Sequence, residues 1–205
     1  MKAGTPTAFQ DRNGVTIKVG DRIKHDDGTI NTVDKYGSAT SRFGIRTVKL
    51  ERSDITDGKN GCFRFIVNGK EILCKGSNWV PLDAFHSRDA ERYDEALALV
   101  KDIGCNILRC WGGNVYEDHK FFDFCDRNGI MVWQDFAMAC YCYPETESFK
   151  EKLRLEVTEV IRKLRNHPSI ILWAGDNEND FVYYYKWNGT KRRDPNTNLL
   201  TRKII

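Results

Sequence analysis

The sequence predicts an α/β fold of about four βα units, half of a (β/α)8 TIM barrel, preceded by a short β-rich segment. Three observations carry this. From Phe63 onward strand-like and helix-like segments alternate, which is the pattern of parallel βα units. No G-x-G-x-x-G turn follows any of the strands, which favours a barrel over an open dinucleotide-binding sheet. The 205 residues also fall short of the about 250 that a whole barrel typically takes.

Each element has its own signal. The first barrel strand is expected at Glu71 to Lys75, ended by Gly76. A helix over Ala90 to Ile103 follows, with Tyr93, Ala96, Leu97, Val100 and Ile103 at helical spacing and Gly104 suited to a left-handed stop. Strand Asn106 to Cys110, a helix near Glu117 to Asn128 ended by Gly129, and strand Ile130 to Gln134 come next. In the third helix Ser148 and Glu151 read as an S-x-x-E capping box, and Phe149, Leu153, Val157, Val160, Ile161 and Leu164 form one apolar stripe. It stops ahead of Pro168, which biases His167 away from helical backbone, and strand Ile170 to Trp173 follows. A further helix is expected near the C-terminus.

Residues 1–40 differ in character. Val15 to Lys24, an Asp27-Gly28 turn and Thr29 to Val33 read as a short β-meander of uncertain origin, loosely like a small SH3-type barrel. Gly37 to Thr40 is a candidate boundary, and residues 61–205 are assigned to the half-barrel.

Composition narrows the function classes. Hydrophobic residues at 40% with 30% charged describe a soluble globular chain, and no apolar run approaches the roughly 20 residues of a membrane span. A net charge of +3 is too balanced for a nucleic-acid partner. The one basic concentration, Lys186, Lys191 to Arg193, Arg202 and Lys203, reads as a solvated face. Met1 to Gln10 lacks the apolar core of a signal peptide, and the seven cysteines show neither disulfide-framework nor zinc-ribbon spacing. A reducing, cytoplasmic setting is therefore expected. Cys74 and Cys110 sit in apolar strand-like contexts and read as core residues. The four histidines show no metal-ligand spacing, so neither metal nor cofactor is implied.

The most informative stretch runs from Ile170 to Asn179, an apolar strand that passes through Trp173 into Asn177-Glu178. A carboxylate just past the carboxyl end of a buried strand is where a barrel keeps its chemistry. Glu178 stands at such a position. Asn106 to Gly113 with Val115 to Asp118 gives R-x-W-G-G-x-x-Y-E-D from Arg109 and Trp111. Val132 to Phe136, with Ala139 and Tyr143-Pro144, gives a third strand end carrying Gln134 and Asp135. Lys75 to Asp83 places Asn78 and Asp83 in the loop after the first strand, and Tyr185 to Gly189 places Trp187 beyond the Asn177-Glu178 pair.

Together these strings resemble glycoside hydrolase family 2, in particular its β-mannosidase branch, over about Ser41 to Ile205. The resemblance implies a retaining glycosidase of carbohydrate metabolism acting on a β-linked mannoside or oligosaccharide. It makes Glu178 the acid/base, a proton donor whose pKa burial and a second carboxylate about 5 to 5.5 Å away would have to raise, and Asn177 the residue that hydrogen-bonds the sugar near its 2-hydroxyl. Arg109 would orient the nucleophilic carboxylate, a task that suits its permanently charged fork. Trp111 would line the sugar pocket and Trp187 would wall it. Asn78, Asp83 and Asp135 are further sugar contacts, with Gln134 and Asp135 equally readable as residues that hold the barrel rim. Residues 41–60 resemble the last β-sandwich strand and linker that precede the barrel in this family, Ser41 to Val48 being that strand. The family's nucleophilic Glu lies in the second half of the barrel, so the chain reads as a truncated product, inactive alone, whose open strand edges favour self-association. The rivals are a β-galactosidase or β-glucuronidase of the same family, against which the Trp111 signature argues, a sugar-binding or scaffold protein, and an N-terminal nucleic-acid module.

Overall fold

A computed structural model describes residues 44–53, 61–185 and 194–205 in full, and four short strands before residue 33 by their backbone. The chain divides into two compact units, residues 1–43 with 161–166, and residues 44–160 with 167–205.

In the first unit β1 (Pro6–Gln10) pairs antiparallel with β2 (Thr16–Lys18), and β3 (Arg22–Lys24) with β4 (Ile30–Thr32). The Asp27-Gly28 turn and the boundary at Gly37 to Thr40 lie outside the described residues.

The second unit opens with a three-stranded antiparallel sheet, β5 (Val48–Arg52), β6 (Phe63–Val67) and β7 (Lys70–Ile72), in the order β5-β6-β7. This corrects two expectations. Of the strand read at Ser41 to Val48, residues 41–43 lie outside the described ones, 44–47 are not strand, and β5 starts at Val48, where pairing to Val67 begins. The segment read as the first barrel strand, Glu71 to Lys75, is instead the return arm of a hairpin. Asn68 and Gly69 both take left-handed backbone, φ 50° and 75°, the geometry of a two-residue turn whose twist matches the strands it joins. It folds Lys70–Ile72 back onto β6, and leaves Leu73 and Cys74 exposed rather than in a core.

The parallel sheet starts five residues later than expected, at β8 (Gly76–Trp79). It continues through β9 (Ile107–Cys110), β10 (Met131–Asp135) and β11 (Ile170–Ala174), in the order β11-β10-β9-β8 with all three pairings parallel. Gly76 is required at its place, since a Cβ there would lie 1.8 Å from the carbonyl oxygen of Ile107. The crossovers are α1 (Asp89–Asp102), α2 (His119–Asn128) and α3 (Glu147–Leu164). These four strands and three crossovers form an open half of a TIM barrel.

Helix ends follow from local chemistry. Asp118 caps α2 by accepting from the His119 N–H at 2.8 Å, and Gly129 ends it in left-handed backbone at φ 67°. At α3 the cap is Thr146, whose Oγ1 accepts from Phe149 N–H, so Ser148 sits inside the first turn rather than before it. The expected C-terminal helix resolves into α4 (Asn179–Tyr185) and a π-helical turn at Leu200–Ile204.

Side-chain alternation splits the sheet into two faces. Trp79, Leu108, Cys110 and Val132 are buried, and Trp79 meets Phe121 of α2 at 5.0 Å and Tyr93 of α1 at 6.3 Å between ring centroids. Gly76, Asn78, Ile107, Arg109 and Trp133 line the other side, an open cleft of about 1020 Å³ shared with Phe63, Phe65 and Ile72 of the hairpin sheet. No helix among the described residues is long and apolar enough to cross a membrane.

Candidate active site

Parallel strands place their carboxyl ends side by side, so residues 109, 135 and 177, distant in sequence, become neighbours. Arg109, near the end of β9, forks onto Asp135 at the end of β10, with Nε 3.2 Å from Oδ1 and the terminal nitrogen 2.6 Å from Oδ2. The same terminal nitrogen donates to Asn177 Oδ1 at 3.0 Å, in the loop after β11. The guanidinium also lies 5.6 Å from the centre of the Trp133 ring, a cation–π geometry. Asp135 is fully enclosed and accepts a further bond from Gly112 N–H at 3.1 Å. Burial pushes its carboxyl above the usual aspartate range, against the opposing pull of Arg109 and the Gly112 amide. Through these bonds Asp135 fixes Arg109 and the Trp111-Gly112-Gly113 turn.

The loops after β10 and β11 are stitched together by backbone. Asn177 N–H donates to Met138 O at 2.9 Å, and Cys140 N–H donates to Asn177 O at 2.8 Å. Cys140 and Glu178 both hold left-handed backbone, φ 53° and 59°, which is uncommon for side chains other than glycine and collects at functional sites. Their side chains meet: Cys140 Sγ lies 3.5 Å from Glu178 Oε2, and Asn177 Nδ2 donates to the same sulfur at 3.3 Å. Glu178 itself is exposed.

The C-terminal residues brace this loop. Thr201 donates its hydroxyl to Asp176, whose other oxygen accepts from Asn179 N–H, and Arg202 forks onto Asp180 at 2.6 and 2.9 Å. Burial raises the Asp176 carboxyl, whereas the Arg202 bonds hold Asp180 below the ordinary range.

The structure therefore unites Arg109, Asp135 and Asn177 directly, with Glu178 joined through Cys140. Trp111 is half-buried at the same strand end, its backbone N–H bonded to Trp79 O. Asn78 pairs in register with Arg109 on the cleft-lining face and is exposed. Asp83 is occupied elsewhere: it accepts from Phe85 N–H, lies 3.5 and 3.8 Å from Arg92 and Arg88, and the Phe85 bond leads the causes that lower its pKa. Trp187 lies outside the described residues. Glu178, Asn177 and Trp111 do not line the large cleft, which runs along the sheet below them.

Two groupings were not legible in sequence. Glu117 is 1% exposed and accepts from Trp79 Nε1, Tyr93 OH and Asn114 Nδ2, tying β8 and α1 to the loop that carries Trp111. Asp123, Asp126 and His167 bring donor atoms within 4.8 Å of one another, a proximity that no spacing rule signals because 41 residues separate Asp126 from His167. His167 spends Nδ1 on Asp126 at 2.7 Å and Nε2 on His119 Nδ1 at 2.8 Å, which makes the group a tie between α2 and the start of β11.

The chain belongs to the family 2 glycosyl hydrolases, whose TIM barrel domain matches residues 59–196. Among proteins of known identity it is similar to the beta-mannosidase of Capra hircus, 44% identical over 148 residues, which cover 72% of this chain and 17% of that one. Among solved structures it resembles the beta-D-mannosidase of Dictyoglomus thermophilum, with a TM-score of 0.72 at 40% identity over 84% of this chain and 21% of that one. Beta-glucuronidase 3 of Bacteroides uniformis is more distant, with a TM-score of 0.59 at 27% identity over 74% of this chain and 18% of that one. The chain thus spans about a fifth of the relatives it matches.

Proposed function

We propose that this chain supplies the acid/base side of a retaining, β-mannosidase-type glycosidase site. Glu178 protonates the leaving oxygen and later activates water. Asn177, fixed by Arg109 at 3.0 Å, presents its remaining amide N–H to the sugar, Trp111 and Asn78 are further sugar contacts, and Asp135 holds Arg109 in place. The Arg109-to-Asn177 bond is the observation that carries the reading, because it joins two separate motif strings at adjacent strand ends with the candidate acid next in sequence. Relatives named beta-mannosidase at 40–44% identity favour a β-linked mannoside over a glucuronide, where the likeness is 27%. The second carboxylate, needed at about 5 to 5.5 Å, is taken to come from the complementary half of a barrel.

The test supplies that half and the sandwich from a related enzyme. There Glu178→Ala should slow substrates with poor leaving groups most, and azide should restore turnover of activated aryl mannosides with a β-mannosyl azide as product. Equal damage to every leaving group without azide rescue would remove Glu178 from the chemistry. The exposure of Glu178 supports a second reading, sugar binding without turnover. Calorimetric binding of mannose by the 205-residue chain, with no hydrolysis in the assembled protein, would select it.

A further inference from the structure

We propose that the Cys140 thiol is a positioning residue for Glu178, held between the Asn177 amide and the Glu178 carboxyl so that the three side chains are set as one group. Four observations on two loops support it. The sulfur is 3.3 Å from Asn177 Nδ2, an N–H donor, and 3.5 Å from Glu178 Oε2, an acceptor for S–H. The backbones on either side are locked by the Cys140-to-Asn177 bond at 2.8 Å and the bridge between Ala139 and Asn177. Both Cys140 and Glu178 are held in left-handed backbone, and their side chains meet across the two loops. Asn177 is in turn anchored by Arg109 and so cannot yield to the sulfur.

The chemistry of the arrangement is directional. A thiol can accept from Asn177 and donate to a carboxylate at once, which restricts the rotation of an otherwise exposed Glu side chain. A thiolate there would lose the S–H bond and face the carboxylate charge, while gaining strength in the Asn177 bond. Consistent with this, burial first and Glu178 after it raise the Cys140 thiol, and Asn177 opposes them. Cys140 therefore reports on Glu178, and a group attached to its sulfur would displace the carboxyl. The positioning role rests on the acid/base reading of Glu178; the contact itself does not.

The experiment follows alkylation of Cys140 by iodoacetamide across pH in the full chain, resolved by peptide mass spectrometry. Cys62, on the hairpin sheet, is the internal reference. The midpoint of the rate profile is read as well as the rate, because altered access changes the plateau and not the midpoint. Glu178→Gln, at an exposed position, should lower the Cys140 midpoint and speed alkylation near pH 8 by about threefold or more. Asn177→Ala should move the midpoint the other way, with Cys62 unchanged in both. An unmoved Cys140 midpoint in Glu178→Gln, or an equal shift at Cys62, overturns the proposal. No substrate is involved, so an unmoved midpoint sinks the thiol contact alone, whereas failed azide rescue with a moved midpoint sinks the acid/base role.

Discussion

Removing the Asp135 carboxylate should be the most damaging single change at the site, and its size can be worked from the contacts. Asp135→Ala strands three donor groups: two nitrogens of Arg109 and the Gly112 amide. Breaking a fully buried ion pair from one side typically costs about 3–5 kcal/mol. Arg109 keeps 26% of its side chain open to water and retains Asn177 and the Trp133 ring, so a discounted figure of about 2 kcal/mol is appropriate for the pair. The buried Gly112 amide left without an acceptor adds about 1 kcal/mol. The total of about 3 kcal/mol should appear in urea unfolding as a lowered midpoint at constant slope. Arg109→Lys keeps the charge but loses the planar fork, and should cost about 1–2 kcal/mol. Arg109→Met with Asp135→Leu removes both charges together, and should cost less than Asp135→Ala alone, since no uncompensated charge remains. If Asp135→Ala costs under about 1 kcal/mol, or the double variant costs the sum of its single changes, the pair does not fix Arg109 as argued.

Three further outcomes follow from named contacts. Gly76→Ala should abolish cooperative unfolding, because its Cβ would sit 1.8 Å from the Ile107 carbonyl, whereas Gly129→Ala, with open space but φ 67°, should cost only about 1 kcal/mol; equal urea midpoints for the two would refute the close-approach argument. Because Arg202 holds the folded-state pKa of Asp180 down, their contribution is present above the ordinary aspartate pKa and is lost as pH falls through the lowered value; Asp180→Asn should flatten the acid limb of a melting-temperature profile, and an unchanged limb would count against the pairing. Among the described residues β8 and β11 end the parallel sheet with no further strand beside them, so sedimentation velocity should show self-association that rises with concentration, and a concentration-independent monomer would contradict it.

The legible part of the fold was the part governed by local pattern. Apolar periodicity located α1 and α3, and Gly104 and Gly129 marked real left-handed stops. The first barrel strand was misplaced because a short apolar run does not say which strand it will join. The Asn68-Gly69 turn decided that, and Asn-Gly between strand-like segments is a signal the sequence carried. Ser148 was mistaken for a cap because a capping box is a pattern of types, and Thr146 two residues earlier satisfies the same amide geometry. At the site, motif strings gave Arg109, Asn177 and Glu178, but their mutual bonds depend on strand register, which no string encodes. Glu117 was read only as part of a motif, since the Trp79 and Tyr93 donors that bury it lie 38 and 24 residues away.

Register also explains why the site is divided into a rigid and a yielding part. In β9 and β10, Trp133 pairs with Arg109 and Gln134 with Cys110, so Arg109 and Asp135 stand at the rim of a sheet whose opposite face is filled by Leu108, Cys110 and Val132. Those packed strands hold the fork, and the fork holds Asn177. Glu178, one residue further, has left the sheet and depends on loop contacts: Cys140 on one side and, through Asp176 and Asp180, the residues around Thr201 and Arg202 on the other. On the proposed acid/base role of Glu178, its carboxyl must lie within hydrogen-bond reach of the leaving oxygen, so errors in this outer bracing would act on proton transfer before they act on the fold. Thr201→Val should therefore leave the urea midpoint almost unchanged relative to Asp135→Ala, while broadening the conformations of the Glu178 loop as read by amide hydrogen exchange at Asn177 to Asn179. Equal loss of global stability in the two variants would place the Asp176 contact in the core instead.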